Sequence, residues 1–263
     1  MQLLLPDDGL VGIAVEGLEA GDQAAARAEV VEIADLTLYF GNAPGFEHSH
    51  TVAIVQFKYS PARASTDFRA SDAKKTVRKF AVAFEDFISR YGFEKAEAKL
   101  RFELLTNRPI YPPLAKAIDG LAKGTRLSGE AKNQAAQLKA AAALDGRTLS
   151  SFLKRLVVVG SRGSLVATKS DLSMLLADWS ASTDLRAVAL GGAIRDMVRN
   201  KAGYIGTDRN VIRDTDVLAA LQIPDRDALL PCPSSLTTVP DIVPRAGRRQ
   251  LSWPVVDDCF GRW

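Results

Sequence analysis

Two short segments near the start of the chain, Ile33 to Phe40 and Thr51 to Tyr59, are rich in β-branched and aromatic residues, which favours β-strands. The connection between them contains Pro44, a residue typical of turns. An antiparallel hairpin whose loop is centred there would place Asp35 roughly opposite Gln56. The pattern therefore predicts both a hairpin and its register, and this restricts the fold more than any other feature of the sequence.

The predicted hairpin brings three polar side chains together. Gln56 and Lys58 are two residues apart on one strand, so both point to the same face, and Asp35 lies across from them. A carboxylate and an amide oxygen are suitable ligands for a divalent cation such as Mg²⁺ or Mn²⁺. We predict a metal at Asp35 and Gln56, with a main-chain carbonyl near Phe57 as a further donor. Lys58 would orient a water molecule or neutralise charge on a phosphodiester.

A basic cluster follows the hairpin directly. The whole chain has a formal net charge of only +3, yet residues 58–80 contain seven basic and two acidic side chains. Ser71 or Asp72 is a suitable N-cap for a helix that runs to about Tyr91, and the amide groups at its start would also favour phosphate. An apolar stripe on this helix would pack on a sheet. The predicted substrate-binding residues lie mostly off that stripe: Lys74, Lys75, Arg78 and Lys79.

A third strand, Ala98 to Thr106, follows this helix, so the order strand, strand, helix, strand predicts an α/β core with a parallel crossover pair. We predict three parts: a core over residues 1–110, a mostly helical appendage over 111–230 and a linker-like tail over 231–263. Helices are predicted in the appendage at Leu114 to Lys123, Gly129 to Leu144, Leu149 to Arg155, Lys169 to Trp179, Asp184 to Lys201 and Thr215 to Leu221. Leu156 to Val159 fits either a short strand or the end of a helix.

Composition excludes several other functions. Hydrophobic residues make up 47% of the chain and charged residues 25%, and no apolar run has the length of a membrane span. The two cysteines, Cys232 and Cys259, lack the spacing of a zinc site and predict a reducing cytoplasm. The sequence contains neither a phosphate-binding P-loop motif nor a Gly-x-Ser-x-Gly nucleophile motif.

The order of these parts resembles the PD-(D/E)xK nuclease superfamily. Asp35 matches the metal-binding aspartate of that family, Gln56 its second ligand position and Lys58 its lysine. More narrowly, three segments resemble the double-stranded DNA nuclease domains at the front of bacterial anti-phage proteins that also carry a NACHT or related P-loop ATPase. These segments are Val-Gln-Phe-Lys-Tyr (55–59), Ser-Asp-Ala-Lys-Lys-Thr-Val-Arg-Lys-Phe (71–80) and Leu-Leu-Thr-Asn-Arg-Pro (104–109).

This resemblance implies a restriction-endonuclease-like mixed sheet flanked by helices, magnesium-dependent cleavage of double-stranded DNA, and an ATPase or sensor module outside this chain as a partner. It also implies an additional glutamate, for which Glu16 and Glu32 are the candidates. Two other functions remain open: a nuclease-like module that binds DNA or a partner protein without cutting, and a structural adaptor. A homo-oligomer is compatible with the sequence.

Overall fold

The computed structural model of the chain describes residues 3, 9–24, 26, 34–160, 174, 184–202 and 208–222. Within these residues, six strands form one mixed sheet in the order β5-β4-β3-β2-β1-β6. The strands are β1 (Leu10–Val15), β2 (Leu36–Gly41), β3 (Ser49–Lys58), β4 (Leu100–Thr106), β5 (Leu156–Val159) and β6 (Val211–Ile212). The helices are α1 (Ala20–Ala24), α2 (Ala70–Tyr91), α3 (Phe93–Lys99), α4 (Pro112–Lys123), α5 (Gly129–Ala142), α6 (Gly146–Arg155), α7 (Asp184–Ala202) and α8 (Asp214–Ala220).

The sheet combines antiparallel and parallel pairs. β2 pairs with β1 and with β3 in the antiparallel sense, and β6 pairs with β1 in the same sense. β4 lies parallel to β3 and to β5. The predicted α/β fold with a mixed sheet and flanking helices is therefore confirmed, and so is the parallel crossover between the second and third predicted strands.

Helices cover both faces of the sheet. On one face, Val52 and Ile54 of β3 belong to a cluster that also contains α2, α4, α5 and α6 side chains. On the other face, Ala53 and Val55 pack in a cluster with α7 and α8. Because successive residues of a strand point to opposite faces, this alternation assigns a face to every position of β3.

The long helix α2 agrees well with the sequence-based prediction, although it begins two residues earlier than Asp72. It ends at Tyr91, and the C-cap Gly92 has a φ of 87°, in the region that favours glycine. Its apolar stripe buries Phe80, Phe84 and Phe87 completely against the sheet. The predicted N-cap is wrong, because Arg69 is the N-cap and Asp72 lies in the first turn, where its carboxylate accepts the Arg69 N–H.

The third predicted strand is shorter than expected. Residues 93–99 form α3, and the strand β4 begins only at Leu100. The helix forms because Ala96 is fully buried and the ring of Phe93 packs against Phe84 of α2, at 6.4 Å between centroids. Tertiary packing therefore overrides the alternating pattern at the start of this segment.

Residues after 110 take part in the same sheet and core. Leu156–Val159 form the edge strand β5, and the two-residue strand β6 pairs with β1. Side chains of α4, α5 and α6 lie in one hydrophobic cluster with those of α2. The predicted boundary at residue 110 thus falls within a shared core. The predicted helix Lys169 to Trp179, apart from residue 174, and the predicted tail 231–263 lie outside the described residues.

Candidate nuclease-like site on strands β2 and β3

The register of the β2–β3 hairpin places Asp35 beside Gln56. Leu36 pairs with Val55, and the Asp35 N–H donates to the Val55 carbonyl at 3.0 Å. The Gln56 Nε2 group donates to Asp35 Oδ2 at 2.5 Å, and the Phe57 N–H donates to the same oxygen at 2.6 Å. The register predicted from the loop position is confirmed, and the two proposed metal ligands are in direct contact.

Strand alternation places Lys58 on the same face as these two residues. Gln56 and Lys58 continue the series of Val52 and Ile54, which point toward α2. The side chain of Asp35 is partly buried on this face. Burial raises the pKa of Asp35, whereas the Phe57 N–H, the Gln56 amide and the positive charges of Lys58 and Lys79 oppose that rise. Two lysines from separate elements therefore act on one carboxylate.

The donor set fits a cation that the protein shares with a substrate. Among the described residues, no group of three or more His, Cys, Asp or Glu side chains is arranged to hold a metal ion. Magnesium is nevertheless often bound through one or two carboxylates while water and substrate phosphates complete its coordination. Asp35 and the amide oxygen of Gln56 suit that mode. The amide would have to turn, because its nitrogen faces Asp35 in this structure.

Of the two candidates for an additional glutamate, Glu16 and Glu32, the structure describes only Glu16. The Glu16 N–H donates to the Asp35 carbonyl at 2.9 Å, so Glu16 is the neighbour of Asp35 across β1 and β2. Its φ of 53° takes the chain out of the strand there, and its side chain is exposed. Glu32 lies outside the described residues.

The four predicted substrate-binding residues fall into two rows on α2. Lys75 and Lys79 are four residues apart, and the charge of Lys79 acts on Asp35. Lys74 and Arg78 form the neighbouring row, and Arg78 Nη1 donates to the Ala142 carbonyl at the end of α5, at 3.3 Å. The charge of Lys79 thus reaches the candidate site, whereas Arg78 bonds to a neighbouring helix.

The sequence pattern predicts that the amide groups in the first turn of α2 favour phosphate. The Ala70 N–H donates to Gln134 Oε1 at 2.9 Å. The Asp72 and Ala73 N–H groups both donate to the Arg69 carbonyl, at 3.0 and 3.2 Å. The Asp72 carboxylate also lies in this turn. These three amide groups therefore donate to acceptors within the protein, and the expectation that the start of this helix favours phosphate stays a prediction.

Sequence reasoning missed a second group of polar residues next to the site. Thr106, Asn107 and Arg108 are buried, with 2%, 8% and 3% exposure, at the end of β4. The sequence predicts Thr106 as the last residue of a strand, and the segment 104–109 carries part of the nuclease resemblance, but neither assigns a role to any of the three side chains. The available signal was a run of three polar residues that begins at the last residue of β4, at the end of the sheet where the parallel neighbour β3 also stops.

A third buried polar group, also missed, lies at the opposite end of β2. Asp22 of α1 is 3% exposed and accepts hydrogen bonds from the Phe46 N–H and from the hydroxyl groups of Tyr39 and Tyr91. It joins the hairpin loop to the end of α2 and lies away from Asp35 along the strand.

Neither a protein-family model nor a curated protein matches this chain. The resemblance to PD-(D/E)xK nucleases therefore stays a prediction based on the motif. Among the described helices, none is long and apolar enough to cross a membrane.

Proposed function

We propose that this chain is a metal-dependent DNA endonuclease domain that hydrolyses phosphodiester bonds in double-stranded DNA, as an effector of anti-phage defence in the bacterial cytoplasm. The observation that carries the proposal is the contact between Asp35 and Gln56, at 2.5 Å, on the face where Lys58 and Lys79 also act on Asp35. A carboxylate, an amide and two cations on one face match the needs of phosphodiester hydrolysis.

Each residue has a distinct role in this proposal. Asp35 and Gln56 would hold Mg²⁺ or Mn²⁺, which when bound supplies positive charge to the scissile phosphate and a more acidic water molecule. Lys58 orients the attacking water or neutralises charge that develops on the phosphate oxygens. The Phe57 N–H holds the Asp35 carboxylate in place from the adjacent backbone, at 2.6 Å. Glu16, the neighbour of Asp35 in the sheet, and Glu32 are the candidates for an additional acidic group.

The basic residues of α2 support DNA as the substrate. Lys74 and Lys75 are exposed, and Lys79 is partly buried at the site. Clustered lysines neutralise backbone phosphates, and this contact requires no particular base sequence. An ATPase or sensor module in another part of the system would control when the domain cuts.

The decisive experiment measures cleavage of linear and plasmid DNA by the purified protein with and without Mg²⁺ or Mn²⁺. Asp35→Asn keeps an acceptor for the Phe57 N–H but removes the charge, and Lys58→Met removes the cation while preserving the length of the side chain. Each change is expected to lower cleavage about 100-fold or more. Asp119→Asn and Lys123→Met, which alter an exposed ion pair on α4, serve as charge-matched controls and should cut normally.

Persistent cleavage in both Asp35→Asn and Lys58→Met would show that the site is wrongly assigned. Loss of cleavage in the α4 controls as well would indicate that the assay reports a general effect of charge.

A second function is favoured by one observation. The described residues provide a single carboxylate in contact with Gln56 and no larger cluster of metal-binding side chains. A nuclease-like module that binds DNA without cutting it would need nothing more. Salt-dependent retention of DNA together with absence of cleavage under every metal condition would support this function over the first.

A further inference from the structure

The connection between β3 and α2, residues 59–69, lies beside the candidate site and has little core of its own. Every residue from 59 to 67 is exposed or partly exposed, and Phe68 is the first apolar side chain to be buried. A surface segment without buried side chains is normally among the least stable parts of a protein. Residues 61–63 form a short 3-10 helix with its own hydrogen bonds, and the position of the connection on the protein is set by hydrogen bonds from neighbouring elements.

Those hydrogen bonds come from three consecutive residues at the end of β4. Thr106 Oγ1 donates to the Lys58 carbonyl at 2.8 Å. The Asn107 side chain pairs with both backbone groups of Ser60, because its Oδ1 accepts the Ser60 N–H at 2.9 Å and its Nδ2 donates to the Ser60 carbonyl at 3.2 Å. The backbone is thus fixed on both sides of residue 59, immediately after the lysine of the site.

Arg108 holds the other end of the connection. Its guanidinium donates to the Thr66 carbonyl at 2.8 Å and to the Asp67 carbonyl. It also pairs with both carboxylate oxygens of Asp72, at 3.0 and 3.1 Å. This two-point geometry is specific to arginine, and a buried charge requires such complete pairing. Since Asp72 belongs to the first turn of α2, Arg108 links the sheet to the helix that carries Lys75 and Lys79.

Backbone contacts reinforce this arrangement. The Phe68 N–H donates to the Pro109 carbonyl at 2.7 Å, and the Tyr111 N–H donates to the Phe68 carbonyl at 3.1 Å. On the other side, a Cβ at Gly160 would overlap the Arg108 carbonyl oxygen, so the end of β5 lies tightly against the same residue. Arg108 is therefore enclosed by protein groups and is not placed to contact a substrate.

We propose that Thr106, Asn107 and Arg108 form a clamp of positioning residues that fixes the β3–α2 connection, and thereby holds Lys58 and the lysines of α2 in place around Asp35. Its importance for cleavage rests on the proposed nuclease function. The clamp itself is a property of the fold that is measurable without any activity. A displacement of about 1 Å in a group that contacts the substrate is enough to slow a reaction about 100-fold.

The test compares two threonines that make the same type of hydrogen bond. Thr106→Val removes the bond to the Lys58 carbonyl and also the acceptor of the Arg108 N–H, at 3.3 Å. Thr37→Val removes a comparable donated bond, from a fully buried threonine of β2 to the Gly17 carbonyl at 2.7 Å. Thr106→Ser keeps the hydroxyl and serves as the rescue variant. Asn107→Asp retains acceptance from the Ser60 N–H but loses donation to the Ser60 carbonyl.

We expect amide hydrogen exchange over residues 59–69 to accelerate about tenfold or more in Thr106→Val and Asn107→Asp, and to remain unchanged in Thr37→Val and Thr106→Ser. The kcat of DNA cleavage should fall about tenfold or more in the same two variants, and Thr106→Ser should restore it.

Unchanged exchange over residues 59–69 in both variants would overturn the clamp, whatever the activity. An equal loss of kcat in Thr37→Val would overturn the positioning role, since general destabilisation would then explain the loss. If the wild-type protein cuts no DNA while exchange responds as expected, the nuclease function fails and the clamp stands.

Discussion

At the scale of single residues, Asp22 shows how burial raises the pKa of a carboxyl group. Burial raises the pKa of Asp22 from its ordinary value of 3.8 to about 6, and the nearby Glu19 adds to the rise. The Phe46 N–H, the Tyr39 hydroxyl and the charge of Arg90 partly oppose it. Protonated Asp22 is thus favoured in the folded state relative to the unfolded chain.

The sign of the resulting pH dependence follows directly. Between about pH 4 and pH 6 the folded state binds more protons at Asp22 than the unfolded chain does, so this residue lowers stability as the pH rises through that range. Asp22→Asn does not titrate. The wild type therefore loses stability relative to this variant as the pH rises. The free energy of unfolding of Asp22→Asn minus that of the wild type should increase by about 2 kcal/mol between pH 4.5 and pH 7.5. Urea unfolding at the two pH values measures this difference, and a constant difference would contradict it.

Asp35 was easier to predict from the sequence than Asp22. Its position depends on a hairpin register, which is set by a local loop and by strand alternation. Asp22 depends instead on contacts with Tyr39, Phe46 and Tyr91, which are up to 69 residues distant in the chain. No spacing rule links such residues before the chain folds.

At the scale of elements, the positive side chains of α2 lie in two rows that face different directions. Lys75 is one turn before Lys79, whose charge acts on Asp35, whereas Lys74 is one turn before Arg78, which bonds to the end of α5. Adjacent residues on a helix are about 100° apart, so Lys74 and Lys75 face different directions although both are exposed lysines.

This difference gives a prediction with a matched control. Lys75→Gln should reduce the slope of log affinity for DNA against log salt by about one, because one phosphate contact is lost, while Lys74→Gln should change the slope much less. Binding of a DNA duplex at several salt concentrations provides the measurement, with a cleavage-deficient Asp35→Asn background to keep the duplex intact. Equal slopes in the two variants would show that α2 does not present one preferred row to DNA.

Elements were predicted correctly where a local pattern and the tertiary contacts agree. The apolar stripe of α2 and the glycine at its end sufficed to predict it within two residues at its start. Ala98 and Lys99 were predicted as the start of a strand but lie in the helix Phe93–Lys99, because contacts of Phe93 and Ala96 with the core decide its conformation. Residues 156–159 fitted either a strand or a helix end, and pairing with β4 makes them a strand.

At the scale of the whole molecule, the main question is whether the chain divides into separate domains at residue 110. The core face that carries Asp35 is completed by Leu114, Leu138 and Phe152, which are at most 1% exposed and all follow residue 110. On the other face, Leu190 and Val217 complete the second cluster. Removal of these elements would expose a large apolar area on both faces of the sheet.

A fragment of residues 1–110 is therefore not expected to fold on its own, whereas a fragment of residues 1–222 should unfold cooperatively. Circular dichroism and urea titration of the two fragments measure this, since a cooperative transition requires a packed core. Cooperative unfolding of the shorter fragment would mean that the predicted boundary at residue 110 does separate an independent domain.

Local periodicity and turn residues were enough to predict the hairpin, its register, the long basic helix and the parallel strand that follows. The groups that surround these elements depend on packing between distant parts of the chain. Asn210 donates to the Val15 carbonyl across 195 residues of chain, and Arg108 reaches Asp72 across 36. Such contacts carry no periodic signal, since they arise only when separate elements pack and each buried polar group must find a partner.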